Sequence, residues 1–183
     1  MADARSRSPL EERASDLAVF GGGLVPLLVQ VDLRVDASDA DLAPFPLPLE
    51  PNTAWHDPHH SVLWLGPDEW LVLSSGEPAG ELVHRLDAAF TGVHHSAVDV
   101  SANRVAVALT GDDRFELLSH VCSLDLDAGS WGSNRCAQTL IGRAQVVLFE
   151  RTGTTPILVR PSFADYLVDL LLAVRDDWDG VQR

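Results

Sequence analysis

From Leu28 to Asp36 the chain reads LVQVDLRVD, in which Val29, Val31, Leu33 and Val35 alternate with Gln30, Asp32, Arg34 and Asp36. A period of two is the pattern of a half-buried strand. Residues 61–75, SVLWLGPDEWLVLSS, hold two nearly all-apolar runs that meet across Gly66-Pro67-Asp68-Glu69. Proline at the second position suits a type I turn, so the stretch predicts a hairpin with Asp68 and Glu69 facing water at its tip. Trp64 and Trp70 then become cross-strand neighbours. In AGELVHRLDAAF, helical spacing puts Leu82, Val83, Leu86, Ala89 and Phe90 on one face. SAVDVS and RVAVALTG read as two strands around Ala102-Asn103, and DDRFELLSHVC as a helix from about Asp112 that buries Phe115, Leu118 and Cys122. TLIG, AQVVLFER and TPILVR read as three more strands. The last helix opens at Ser162 with Asp165 as capping partner and turns Phe163, Tyr166, Leu167, Leu170, Leu171 and Val174 inward.

The same rules read residues 1–27 as an N-terminal helix and a glycine hinge. Ser8-Pro9-Leu10-Glu11 has the form of an N-cap, a first-turn proline and a capping-box glutamate, and the helix should reach about Val19. Gly21-Gly22-Gly23 ends it. No strand precedes these glycines and no GxGxxG follows, so they read as a hinge and not as a phosphate cradle. Residues 37–58 contain five prolines and no sustained period, which predicts an irregular connection over the surface and a contact arm. Short turns between strands make antiparallel pairs. The expected fold class is therefore α+β, with antiparallel sheet or sheets and helices packed on one face. A length of 183 residues suits a single domain spanning 1–183.

Composition narrows the chemistry. The chain has 27 Asp+Glu against 13 Lys+Arg, a formal charge of −14, which repels nucleic acid and anionic membrane. All 13 basic residues are arginine. A Schiff-base lysine, a phosphate-loop lysine and a lysine general base are thereby excluded within this chain. Cys122 and Cys136 are the only cysteines, too few for a disulfide framework. The N-terminal segment is charged and no uncharged apolar run reaches roughly 18 residues, so a cytoplasmic protein is expected.

Several segments invite a site. His56-Asp57-Pro58-His59-His60 is the most metal-like, with His94-His95 further on. Zinc requires three or four converging ligands, and adjacent histidines point different ways, so the first reading is a solvated, proline-bounded loop. A metal or thiol site on His56, His59, His60 and Cys136 is the weaker alternative. Cys136 follows Arg135, which can lower a thiol pKa, but no histidine stands nearby in sequence to act as base, and a small buried thiol at a strand start is the simpler reading. Asp112-Asp113 fall at a helix start, where acids cap free N–H groups. Asp176-Asp177-Trp178-Asp179 reads as a solvated tail with Trp178 as an anchor for a partner.

Together these motifs resemble the gamma subunit of heterotetrameric sarcosine oxidase along nearly the whole chain. The resemblance rests on Ser8-Pro9-Leu10, Leu47-Pro48, Pro51-Asn52-Thr53 and above all Leu63-Trp64-Leu65-Gly66-Pro67-Asp68-Glu69-Trp70-Leu71. It continues in Val98-Asp99-Val100-Ser101, Asn103-Arg104, Cys122-Ser123-Leu124-Asp125-Leu126, Cys136-Ala137-Gln138-Thr139 and Arg160-Pro161-Ser162-Phe163. That family in turn resembles, from Val98 to Leu126, the folate-binding aminomethyltransferase T-protein of the glycine cleavage system, which implies the same fold. In the T-protein an aspartate pair after the next strand works on the folate adduct. Here the matching residues 140–147, LIGRAQVV, carry no carboxylate, and one-carbon transfer needs an acid or base at the reacting nitrogen.

The resemblance implies a non-catalytic assembly subunit with no cofactor-binding, catalytic or metal residues of its own. FAD, FMN, NAD, tetrahydrofolate and zinc would reside in a large alpha subunit, a flavin-bearing beta subunit and a small zinc-bearing delta subunit, in a complex that oxidatively demethylates sarcosine to glycine and transfers the one-carbon unit to tetrahydrofolate. Trp64, Trp70, Trp131 and Trp178 are the candidate interface residues. The alternative is a free-standing folate-binding or aminomethyl-transfer protein of the T-protein type, which predicts that tetrahydrofolate raises the melting temperature of the isolated chain.

Overall fold

A computed structural model of the chain describes residues 10–19, 21–25, 28–127 and 129–181, with side chains as far as Asp177. After a 3-10 turn at Glu11–Arg13, helix α1 (Ala14–Val19) leads into strand β1 (Gly22–Leu24). The proposed cap at Ser8-Pro9 lies outside the described residues. The glycines are not a hinge: Gly22 and Gly23 pair with Leu109 and Ala108 at a sheet edge. Gly21 has φ +66°, and a Cβ there would stand 2.8 Å from the Thr110 carbonyl oxygen, so only glycine lets the chain enter the sheet so closely.

The alternating run becomes β2 (Val29–Val35). The proline-rich connection is more ordered and less exposed than its composition suggests. It contains a 3-10 turn, Ala37–Leu42, whose N-cap Asp36 accepts from the Ser38 N–H, and a short strand, β3 (Ala54–His56). Phe45 and Leu47, each flanked by prolines, are 7% exposed and belong to the core. The 61–75 stretch is the expected hairpin, β4 (His60–Gly66) and β5 (Glu69–Ser74), with Trp64 directly opposite Trp70 and an irregularity in register between Trp64 and Gly66. Asp68 is exposed and Glu69 half-buried at the tip.

Helix α2 (Ala79–Ala89) buries Leu82 and Leu86, with Phe90 just beyond its end. Strand β6 (His95–Asp99) and strand β7 (Val105–Thr110) follow, but they do not pair with each other. β6 pairs with β2 and β7 with β1, so the chain crosses from one sheet to another around Ala102-Asn103. Gln30 fixes this corner: its backbone N–H donates to Ser101 Oγ at 3.0 Å and its side-chain amide to the Arg104 carbonyl at 2.8 Å. Helix α3 is short (Arg114–Ser119). It is followed by β8 (Cys136–Ile141), β9 (Ala144–Phe149), β10 (Thr154–Val159), a 3-10 turn at Pro161–Phe163 and helix α4 (Ala164–Val181). Ser162 does not cap α4. The proline opens the preceding turn, and Phe163 is left 38% exposed and not buried.

The result is two five-stranded antiparallel sheets, β1-β7-β10-β9-β8 and β3-β4-β5-β2-β6. Leu63, Leu71 and Leu73 of one share a buried cluster with Ala106, Cys136, Val147, Phe149 and Leu158 of the other, so the sheets face each other. On the outer face of the first sheet, Val107, Leu109, Val146, Leu148, Ile157 and Val159 pack with Leu117 and Leu118 of α3 and Leu167, Val168 and Leu171 of α4. On the outer face of the second, Val31, Leu33, Val62, Trp70 and Val72 pack with α2. Period-two alternation explains the split, since neighbours along each strand serve opposite faces. Each sheet carries helices on one face only, as the α+β class requires.

Candidate functional site

The histidine-rich loop between β3 and β4 is held by its own carboxylate. Asp57 accepts the backbone N–H groups of His59 at 2.7 Å and His60 at 2.6 Å. It also lies 3.0 Å from Nδ1 of His60. Burial opposes ionisation of Asp57, but the two backbone bonds and His60 outweigh it and bring its pKa down to about 2. The other ring nitrogen of His60 lies 2.8 Å from Glu77, which also bonds Arg85 of α2, and the Arg85 guanidinium sits over the Phe45 ring. Carboxylate, imidazole and carboxylate form a line that ties the loop to α2. His56 bonds Ser61 Oγ at 2.9 Å and stacks on Phe149, and burial, helped by Arg151, pushes its imidazole pKa down. His95 joins Asp87 at 3.1 Å, while His94 is exposed. Among the described residues no group of three or more His, Cys, Asp or Glu side chains is placed to hold a metal ion. The residues that sequence spacing missed, Glu77 and Arg85, are brought in by the fold and have no local signal.

Cys136 opens β8, is fully buried, and donates to the Thr53 carbonyl at 3.1 Å. Burial raises its thiol to about 11, beyond the opposing pull of Arg135, which keeps the sulfur protonated and inert at neutral pH. Cys122 is buried on the opposite side of the same sheet, and both thiols are free. Asp113, at the start of α3, serves a different end from the one expected. Asp113 makes no side-chain cap; it bonds Arg175 of α4 at 2.6 Å and so joins two helices. Beside it Arg114 reaches inward to Glu150 at 2.8 Å, Thr155 at 3.0 Å and the Gly111 carbonyl at 2.8 Å. Thr155 completes the set by donating to Glu150 at 2.5 Å.

The four candidate interface tryptophans are placed unequally. Trp70 is fully buried and donates its indole N–H to the Pro48 carbonyl at 2.7 Å. Trp131 is 7% exposed. Both are packed inside the chain. Trp64 is half-buried between two clusters, and Trp178 lies beyond the described side chains. The large apolar side chains that do reach water include Leu49 at 58%, Val98 and Leu140 at 50%, and Leu42 at 47%. Residues 140–147, which carry no carboxylate, form the tight β8–β9 hairpin, where Gly142 has φ +56° and the Arg143 N–H donates to Tyr166 Oη at 3.1 Å.

Two facing antiparallel sheets with helices outside define an α+β domain. The likeness to the glycine cleavage system aminomethyltransferase T from Bartonella henselae has a TM-score of 0.61, with 13% identity over 87% of this chain and 48% of that one, and it concerns the fold alone. Within that class, residues 46–176 match the sarcosine oxidase, gamma subunit family, and the chain belongs to it. The sarcosine oxidase subunit gamma of Corynebacterium sp. (strain U-96) is 33% identical over 67% of this chain and 59% of its own length. That of an Arthrobacter species is 36% identical over 61% of this chain and 55% of its own. The matched region thus spans little more than half the length of these relatives. A chain from the heterotetrameric sarcosine oxidase of Corynebacterium sp. U-96, in complex with pyrrole 2-carboxylate, superposes with a TM-score of 0.84 at 27% identity, over 93% of this chain and 95% of that one.

Proposed function

We propose that this chain is a non-catalytic assembly subunit of a heterotetrameric sarcosine oxidase. The observation that carries the reading is the superposition on a chain of such an enzyme, over 93% of this chain and 95% of that one. The internal use of the polar clusters agrees with it. His60 bonds Asp57 on one side and Glu77 on the other, the Cys136 thiol is buried and protonated, and the β8–β9 hairpin has no acid where one-carbon transfer would need it.

On this reading the mechanism is burial of surface. The partners are a large alpha subunit and a flavin-bearing beta subunit, with a small zinc-bearing delta subunit completing the complex. FAD, FMN, NAD, tetrahydrofolate and zinc belong to those partners, and the assembled enzyme oxidises sarcosine in the cytoplasm. A stable contact of this kind buries at least ~1,200 Å². Leu42 and Leu49 on the proline-rich connection, Leu140 on the β8 edge and the half-buried Trp64 are apolar groups suited to it. Co-expression with tagged alpha and beta subunits tests the proposal. The chain is expected to be retained through affinity purification, and a chain that elutes by itself in the presence of both subunits contradicts it.

A further inference from the structure

The two sheets face each other through an apolar layer, but the inner face of the first sheet changes character at one end. Ala106 and Leu158 lie in the inter-sheet cluster, and two residues further along the same faces of their strands stand Arg104 and Arg160. Val105 pairs with Val159, so the two arginines are cross-strand neighbours just past the last paired residues. On β8 and β9 the same change runs from Cys136 and Val147 to Gln138 and Gln145. These polar residues, with Ser123 and Thr139, line an open cleft of about 520 Å³. Gln138 is anchored by donating to the Leu65 carbonyl at 3.0 Å.

Neither arginine makes a side-chain hydrogen bond or ion pair with the described residues. Arg104 is half-buried, and burial first, then the neighbouring Arg160, pull its pKa down. Two acids on the facing sheet oppose that effect through their fields, Asp32 and Glu69. Glu69 is bonded to Arg34 at 2.7 Å, and one oxygen of Asp32 is buried without a hydrogen-bond partner. Like charges directly opposite each other on a sheet are destabilising. A chain this acidic nonetheless leaves its two facing guanidiniums with no carboxylate in contact.

We infer that this cleft is a carboxylate-recognition site, in which the forks of Arg104 and Arg160 grip one carboxylate while Gln138 and Gln145 border the group that carries it. The planar guanidinium matches a carboxylate in two parallel hydrogen bonds. With Glu69 neutralised by Arg34, Asp32 set against two guanidiniums leaves one positive charge uncompensated, which suits a monoanion better than a polyphosphate. The volume is that of a small-molecule site, roughly 300–1,000 Å³. The carboxylate comes either from a free ligand or from an acidic group of a partner subunit.

The test begins with the full chain alone and benzoate as probe, followed by arginine side-chain NMR. Benzoate is expected to bind saturably and its neutral isostere benzamide not to. Arg104→Gln and Arg160→Gln should each weaken binding by about tenfold, the loss of one charge-assisted bond pair, and Arg160→Lys should recover part of it. Arg160 is exposed, so its variants keep the fold. Equal binding of benzoate and benzamide, or binding indifferent to both Gln variants, overturns the proposal. The purified complex then separates the sources: a complex that no longer takes benzoate has filled the cleft with its own carboxylate, and one that still binds it has a free-ligand site. The first measurement needs no partner, so its failure is distinct from a failure of the assembly reading.

Discussion

Arg114 and the Arg104–Arg160 pair stand on the same half of the molecule and have opposite surroundings. The Arg114 side chain is 11% exposed and its partner Glu150 6%. Three acceptors and the Phe115 ring surround its guanidinium. Arg104 and Arg160 have no acceptor for their guanidiniums among the described residues, and the neighbouring Arg160 disfavours the charge on Arg104. A charge satisfied within the chain contributes to holding the fold. A charge kept close to another of the same sign, with no carboxylate in contact, contributes little to folding that a neutral residue would not.

The comparison is sharpened first at Glu150. Glu150→Ala leaves Arg114 buried and uncompensated and should cost about 3–5 kcal/mol of stability, measured as a drop in the urea midpoint. A loss within about 0.5 kcal/mol would mean that water already satisfies Arg114. Gly142→Ala comes next. A Cβ there would meet Tyr166 Oη at 2.5 Å and Leu170 at 2.6 Å in a left-handed backbone, so a loss of about 1–3 kcal/mol is expected, read from the melting temperature.

A smaller effect belongs to Asp57. Its folded pKa of about 2 lies below the ordinary 3.8, so its carboxylate contributes stability above pH 3.8 that is lost as the pH falls toward 2. Asp57→Ala should cost about 1 kcal/mol at neutral pH, as for loss of a capping acceptor. Its stability curve should also be flatter over that acid window, as denaturant titrations at a series of pH values would record. The smallest change is expected at Arg160→Gln, within about 0.5 kcal/mol and in the stabilising direction because a like charge is removed. A clear destabilisation would place Arg160 with Arg114 as a structural residue.

The sequence made the alternating strands legible because period two survives in both sheets: Val31 and Leu33 in β2, Val107 and Leu109 in β7, and the paired Trp64 and Trp70 all stand where alternation and turn chemistry put them. Which strands share a sheet was not legible, because the corner at Ala102-Asn103 uses the same short polar residues as a hairpin. β1 escaped because Gly22 and Gly23 give no alternation and join the sheet through backbone alone. Phe45 and Leu47 escaped because prolines mask a buried segment as a surface one. The Arg104–Arg160 cleft joins residues 56 positions apart, brought together by the β7–β10 register that no local pattern encodes.

The central proposal is that this chain is a stoichiometric component of a heterotetrameric sarcosine oxidase. Native mass spectrometry of the chain co-expressed with alpha, beta and delta subunits tests it most directly. The expected spectrum is one heterotetramer containing a single copy of this chain, with no free chain left when the partners are in excess. A complex of the three partners at full occupancy, with this chain as a separate monomer, would contradict the account.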